Sequence, residues 1–111
     1  MVYVDIDDTL VRSVGTKRIP MSEAIEHVRA LFVQGAELYC WSSGGGEYAK
    51  TVANELGLLN CFVAFLPKPQ VMVDDQEFGE WRRLVSVHPS QCASETVTSY
   101  RTAVAGGRRS V

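Results

Sequence analysis

Short apolar runs alternate along this chain with stretches whose apolar residues recur at helical spacing. Val2, Tyr3, Val4 and Ile6 are β-branched or aromatic, which predicts a first strand running out at Asp5. A loop is expected over roughly 11–20, punctuated by Gly15 and Pro20. Ile25, Val28, Leu31 and Phe32 then share one helical face, with Ser22 as the expected N-cap and Gly35 as the stop. Residues 37–41 read as a second strand. Gly44-Gly45-Gly46 leads into a helix with Ala49, Val52, Ala53 and Leu56 on one face, closed by Gly57. Phe62 to Leu66 and Val71–Val73 read as short strands, and Leu84–Val87 as a last one. Val97, Tyr100 and Val104 predict a final helix from about Glu95 to Ala105, capped by Ser94 and by Gly106-Gly107. Alternation of strand and helix implies an α/β fold with a mostly parallel sheet. A single domain is expected over 1–107, with 108–111 as a loose end and no repeat or low-complexity segment.

Composition narrows the function classes. A chain of 111 residues that is 46% hydrophobic fills one core. Its net charge of −2, from 11 basic and 13 acidic residues, gives no electrostatic case for nonspecific nucleic-acid binding. No apolar run approaches a membrane span, and no basic-then-apolar leader opens the sequence, so no membrane partner is expected. Cys40, Cys61 and Cys92 are odd in number and widely spaced, which argues against a disulfide framework or zinc site and for a reduced, cytoplasmic protein. Cys40 is expected as a small apolar filler in a buried strand.

The candidate chemistry lies at strand ends. Asp5 and Asp7 stand two apart where the first strand finishes, with the Thr9 hydroxyl two residues on. The C-terminal edge of a parallel sheet is where open α/β folds place their sites. Two carboxylates that close repel unless a positive group lies between them, and a divalent cation is the usual solution. A second acidic pair, Asp74-Asp75, follows the apolar run Val71-Met72-Val73. Gly44-Gly45-Gly46 reads either as an anion cradle at a helix N-terminus or as a plain turn, and without a G-K-[ST] ending it is not a Walker A loop. Ser42 reads as a phosphate ligand or as an ordinary N-cap. His27 and His88 are isolated and carry no metal expectation. Trp41 is expected in the sheet core; Trp81 with Arg82-Arg83 reads either as ordinary structure or, as the lesser alternative, as a surface patch for a phosphorylated partner or subunit contact.

These pieces together resemble the haloacid dehalogenase superfamily. Asp5-Ile6-Asp7-Asp8-Thr9-Leu10 is similar to its first motif, D-x-D-x-T-L. Leu38-Tyr39-Cys40-Trp41-Ser42 matches the second, an apolar strand ending in Ser or Thr. Lys68, in Pro67-Lys68-Pro69, stands where the third motif's lysine belongs. Val71-Met72-Val73-Asp74-Asp75 matches the fourth. The order is right over roughly residues 1–87, and the run from Lys68 to Trp81 further resembles small, capless bacterial and phage members. About ten residues separate Leu10 from the first helix, and one helix and one strand fill Ser42 to Lys68, leaving no room for a cap domain.

The resemblance implies a three-layer Rossmann-like fold, no cap, and a Mg²⁺-dependent phosphomonoester hydrolase working through an aspartyl-phosphate. Asp5 is then the nucleophile, Asp7 the acid and later the base, and Lys68 the partner of phosphate charge. Ser42, Ser43, Gly44 and Thr9 bind phosphate. The Asp5 carboxylate, the Asp7 carbonyl, Asp74 and, through water, Asp75 hold Mg²⁺. Dehalogenases of the superfamily generally lack the second aspartate that Asp7 supplies, so phosphate-ester chemistry is implied instead. The other readings are a nucleotidase or phosphotransferase, and an inactive metal- or phosphate-binding interaction module. Lys68 poses a geometric problem: six positions before Asp74, it is carried about 10–13 Å away by a strand at 71–73 unless Pro67–Gln70 folds back. Lys17 and Lys50 are the substitutes. The partners expected are a phosphorylated small molecule or macromolecule and a second copy of the chain, through the C-terminal helix or the Trp81 segment.

Overall fold

A computed structural model describes residues 1–106 of the chain. Five strands and three α-helices follow one another as β1 (Val2–Asp5), β2 (Val11–Val14), β3 (Lys17–Pro20), α1 (Ser22–Val33), β4 (Leu38–Ser42), α2 (Gly46–Glu55), β5 (Ala64–Pro67) and α3 (Val97–Ala105). Single 3₁₀ turns lie at Leu59–Cys61, Phe78–Glu80 and Pro89–Gln91. The α/β class expected from the sequence holds. β1, β4 and β5 form a parallel sheet in that order, with Asp5 opposite Trp41 and Trp41 opposite Leu66. β2 and β3 pair as a separate antiparallel hairpin. Among the described residues no helix is long and apolar enough to cross a membrane.

The crossovers explain where the core sits. A parallel pair needs a long connection, and α1 and α2 each bridge successive parallel strands. Crossovers of the usual right hand would put both helices on one face, because the order runs in one direction. Burial agrees: Val4, Leu38 and Cys40 from that face share a core cluster with Ile25, Val28 and Leu31 of α1 and Ala49, Val52 and Ala53 of α2. On the opposite face Tyr3 stacks on Tyr39 at 5.0 Å and meets Trp41 edge-on at 4.9 Å. Tyr3 is exposed, while Tyr39 and Trp41 are half-buried, so Trp41 belongs to an aromatic surface and not to the core expected for it.

Several sequence expectations need correction. The 11–20 loop is a hairpin; nine of its ten residues are exposed, so cross-strand pairing holds it and no hydrophobic alternation marks it. Val71–Val73 is not a strand: Val71 and Val73 are 82% and 98% exposed, and strand propensity expresses fit to a half-buried sheet that this run does not meet. Leu84–Val87 is not a strand either. Phe62 ends a 3₁₀ turn, and the strand there starts at Ala64. Phe32 is exposed, off the α1 stripe. Met21, not Ser22, occupies the N-cap of α1, without a side-chain cap bond. Thr96, not Ser94, caps α3, exchanging hydrogen bonds with Ser99 in a capping box. Gly106 is the α3 C-cap, whereas Gly107 and the expected loose end 108–111 lie outside the described residues.

The apolar stripe of α3 is engaged within the chain. Val97 and Tyr100 pack on the core cluster, the Val97 N–H donates to Gln34 Oε1 at 2.9 Å, and Tyr100 Oη lies 2.7 Å from His27 Nε2. Burial lowers the His27 pKa, opposed by the charge of Glu95, and the contact with Tyr100 ties α3 to α1. Trp81 packs against Phe78 at 4.8 Å.

One glycine fixes how closely α2 approaches the sheet. A Cβ at Gly46, the first residue of α2, would come 2.7 Å from the Phe65 carbonyl oxygen. That neighbour is backbone in β5 and cannot swing away. Gly46→Ala should therefore cost about 1–3 kcal/mol as overpacking, despite alanine's better helix propensity. Urea denaturation checks this; an unchanged or raised midpoint would show that α2 and β5 are not in such close contact.

Candidate active site

Asp5, Ser42 and Lys68 all stand at the C-terminal edge of the parallel sheet, because β1, β4 and β5 finish at Asp5, Ser42 and Pro67. After β1 the chain turns back at once. The N–H groups of Thr9, Leu10 and Val11 all donate to the Ile6 carbonyl, at 3.2, 2.9 and 3.2 Å, and Asp8 adopts φ 60°. This tight turn returns Thr9 to the strand end, where its hydroxyl donates to Asp5 Oδ2 at 3.2 Å.

Lys68 reaches the other carboxylate oxygen. Its Nζ lies 3.2 Å from Asp5 Oδ1, with both side chains about a third exposed. Its backbone N–H donates to the Ser42 carbonyl at 2.9 Å, tying it to the end of the central strand. β5 lies two strands from β1, about 9–10 Å away. The Lys68 side chain spans that gap over β4, with Nζ 5.8 Å from the Trp41 ring centroid. The expected geometric problem disappears because the strand that sets Lys68 is Ala64–Pro67, immediately before it, and not Val71–Val73 after it. Lys17 is at the hairpin end and Lys50 on the exposed side of α2; the ion pair with Asp5 is made by Lys68.

Ser42 is buried at 1% exposure, and its Oγ accepts the Gly44 N–H at 3.0 Å. Ser43 and Gly44 are exposed beside it, and Gly45 donates back to the Ser42 carbonyl at 3.1 Å. The glycine run is thus a turn folded on Ser42 at the start of α2. Cys40 lies beneath, its thiol pushed up to about 12 by burial and then by the charge of Asp5, which leaves it protonated and unfit as a nucleophile.

Asp7, exposed in the turn, accepts a hydrogen bond at 2.8 Å from Tyr48 Oη. The sequence reading missed Tyr48. Helical spacing identifies the apolar face of α2 but not a polar contact spanning 41 positions. Asp74 and Asp75 are not brought to Asp5. Asp74 Oδ1 instead caps its own turn, accepting the Gln76 N–H at 2.9 Å, in an exposed segment without helix or strand. Among the described residues no group of three His, Cys, Asp or Glu side chains assembles to hold a metal ion. Compared with family models, curated proteins and solved structures, the chain matches none.

The arrangement has clear chemical capacity. A solvent-reachable carboxylate is oriented by a hydroxyl and an ammonium, a second carboxylate stands two residues away, and the turn at Ser42 ends the neighbouring strand. Such a set can present a nucleophilic oxygen, neutralise an approaching anion and move a proton.

Proposed function

We propose that the chain is a capless, haloacid-dehalogenase-like phosphomonoester hydrolase, with Asp5 forming an aspartyl-phosphate. The observation that supports this reading best is the Lys68–Asp5 pair at 3.2 Å on the C-terminal sheet edge. A lysine that already neutralises the nucleophile is positioned to neutralise phosphoryl oxygens arriving on it. In the first half-reaction an Asp5 oxygen bonds to phosphorus as the ester P–O bond breaks, and the Asp7 carboxyl gives its proton to the leaving oxygen. In the second, Asp7 takes a proton from water as the water oxygen bonds to phosphorus. The Asp5–phosphorus bond breaks and phosphate leaves. Ser42, Ser43, Gly44 and Thr9 line the phosphate's surroundings.

Mg²⁺ suits part of this donor set. The ion commonly takes one or two carboxylates, substrate phosphate oxygens and several waters. The Asp5 carboxylate and the Asp7 carbonyl would hold it, and it would draw charge from the phosphoryl group. Asp74, and Asp75 through water, would join only from a rearranged 71–77 segment. β1 is an edge strand of the sheet, and Val71-Met72-Val73 has the composition to extend it. That pairing would lay the acidic pair beside Asp5 and widen the parallel sheet toward that of a three-layer fold. With Mg²⁺ at a hundred times its dissociation constant, stabilisation should reach about 2.7 kcal/mol, a rise of several degrees in Tm. Asp74→Asn should lose most of that shift; a variant keeping all of it would place the metal elsewhere.

Substrate identity is the open arm of the proposal. Phosphorylated metabolites, phosphopeptides and 3′- or 5′-phosphorylated oligonucleotides, assayed with and without Mg²⁺, should reveal release of phosphate from at least one class. Binding without turnover across all of them would favour an interaction module.

A further inference from the structure

We propose that Tyr48 is a positioning residue for Asp7, holding its carboxylate with one phenolic hydrogen bond so that it faces the leaving oxygen. The inference rests on the phosphoryl-transfer reading, in which Asp7 handles the proton. Tyr48 Oη donates to Asp7 Oδ1 at 2.8 Å. Asp7 is exposed in a turn, where an unheld carboxylate samples several rotamers. Proton transfer to an ester oxygen requires one of them.

Tyr48 is itself held by two contacts, as a positioning group must be. A Cβ on Gly44 would lie 2.9 Å from the Tyr48 ring carbon Cδ2, so the missing side chain lets the ring rest on the backbone before α2. The Arg18 guanidinium of β3 also stands over the ring, 5.8 Å from its centroid. Arg18 in turn donates to both carboxylate oxygens of Glu55 at 2.8 and 2.9 Å, fastening the hairpin to the end of α2. The Tyr48 phenol is pushed above its ordinary value, first by burial, then by the hydrogen bond to Asp7 and the Asp7 charge, with Arg18 opposing. It remains a donor through the cycle and transfers no proton itself.

Tyr48→Phe removes one hydroxyl and keeps the ring. With an alkyl phosphate, whose leaving oxygen needs a proton, kcat should fall roughly 10- to 100-fold at unchanged KM. With p-nitrophenyl phosphate, whose leaving group departs unprotonated, the burst of p-nitrophenolate, which reads the first half-reaction alone, should keep its rate. A burst slowed as much as the alkyl ester, or an alkyl ester turned over as by the wild type, would overturn the inference. A second measurement reads the contact without turnover: the ring resonances of labelled Tyr48 at one near-neutral pH, in the wild type and in Asp7→Asn. They should shift in Asp7→Asn, because the hydroxyl loses its carboxylate acceptor. Turnover in a protein whose Tyr48 resonances ignore Asp7 would overturn this inference alone. Resonances that respond in a protein hydrolysing no phosphate ester would overturn the phosphoryl-transfer reading, and Tyr48's part with it.

Discussion

Asp5→Asn should abolish turnover, lowering kcat by at least about a thousand-fold, while the protein stays folded. An amide oxygen is a poor nucleophile toward phosphorus, the Cys40 thiol beneath is buried and protonated, and the Asp7 carboxylate is tied to Tyr48. The structural cost should be small. The Asp5–Lys68 pair is about a third exposed, and ion pairs of that kind contribute about 0–1 kcal/mol. Steady-state assay beside thermal unfolding checks both halves. Residual activity near the wild-type level would remove Asp5 as the nucleophile, and a large fall in Tm would turn the loss into a folding effect.

Lys68→Met should lower kcat by about 10²–10³-fold, the scale of deleting one fixed donor to a developing charge. Methionine keeps an unbranched stem to lie across Trp41, so the variant removes the ammonium and little packing. Lys17→Met and Lys50→Met should stay close to wild type, because neither lysine pairs with Asp5. The opposite ranking would transfer the phosphate charge to one of those two and would break the link between the sheet edge and Lys68.

The elements legible in the sequence were those whose burial follows a period. Ile25, Val28 and Leu31, or Ala49, Val52 and Ala53, identify helices because one face of each meets the same core. β4 is legible for the same reason, with Leu38, Cys40 and Ser42 buried in alternation. Asp5 and Ser42 could be placed at one sheet edge because each ends such a run, whereas the strand expected at 71–73, which does not form, set Lys68 at odds with that edge. What escaped was structure held by other means. The β2–β3 hairpin is almost wholly exposed, so its residues carry no alternation. Tyr48 meets Asp7 through the tertiary fold, from a position whose helical phase says nothing of a partner. Val71-Met72-Val73 failed in the other direction: its composition suits a strand, but strand formation needs a neighbouring strand, and the described structure provides none along that run.

Phosphorus bonded to Asp5 can be trapped and read by mass. The protein is mixed with p-nitrophenyl phosphate and Mg²⁺, quenched in acid within a turnover, digested and analysed by mass spectrometry. The peptide carrying Asp5 should gain one phosphoryl group, labile to base and to hydroxylamine as acyl-phosphates are, and the same peptide from Asp5→Asn should gain none. Steady release of phosphate with no trapped phosphoryl group on Asp5, or the same label persisting in Asp5→Asn, would contradict the aspartyl-phosphate.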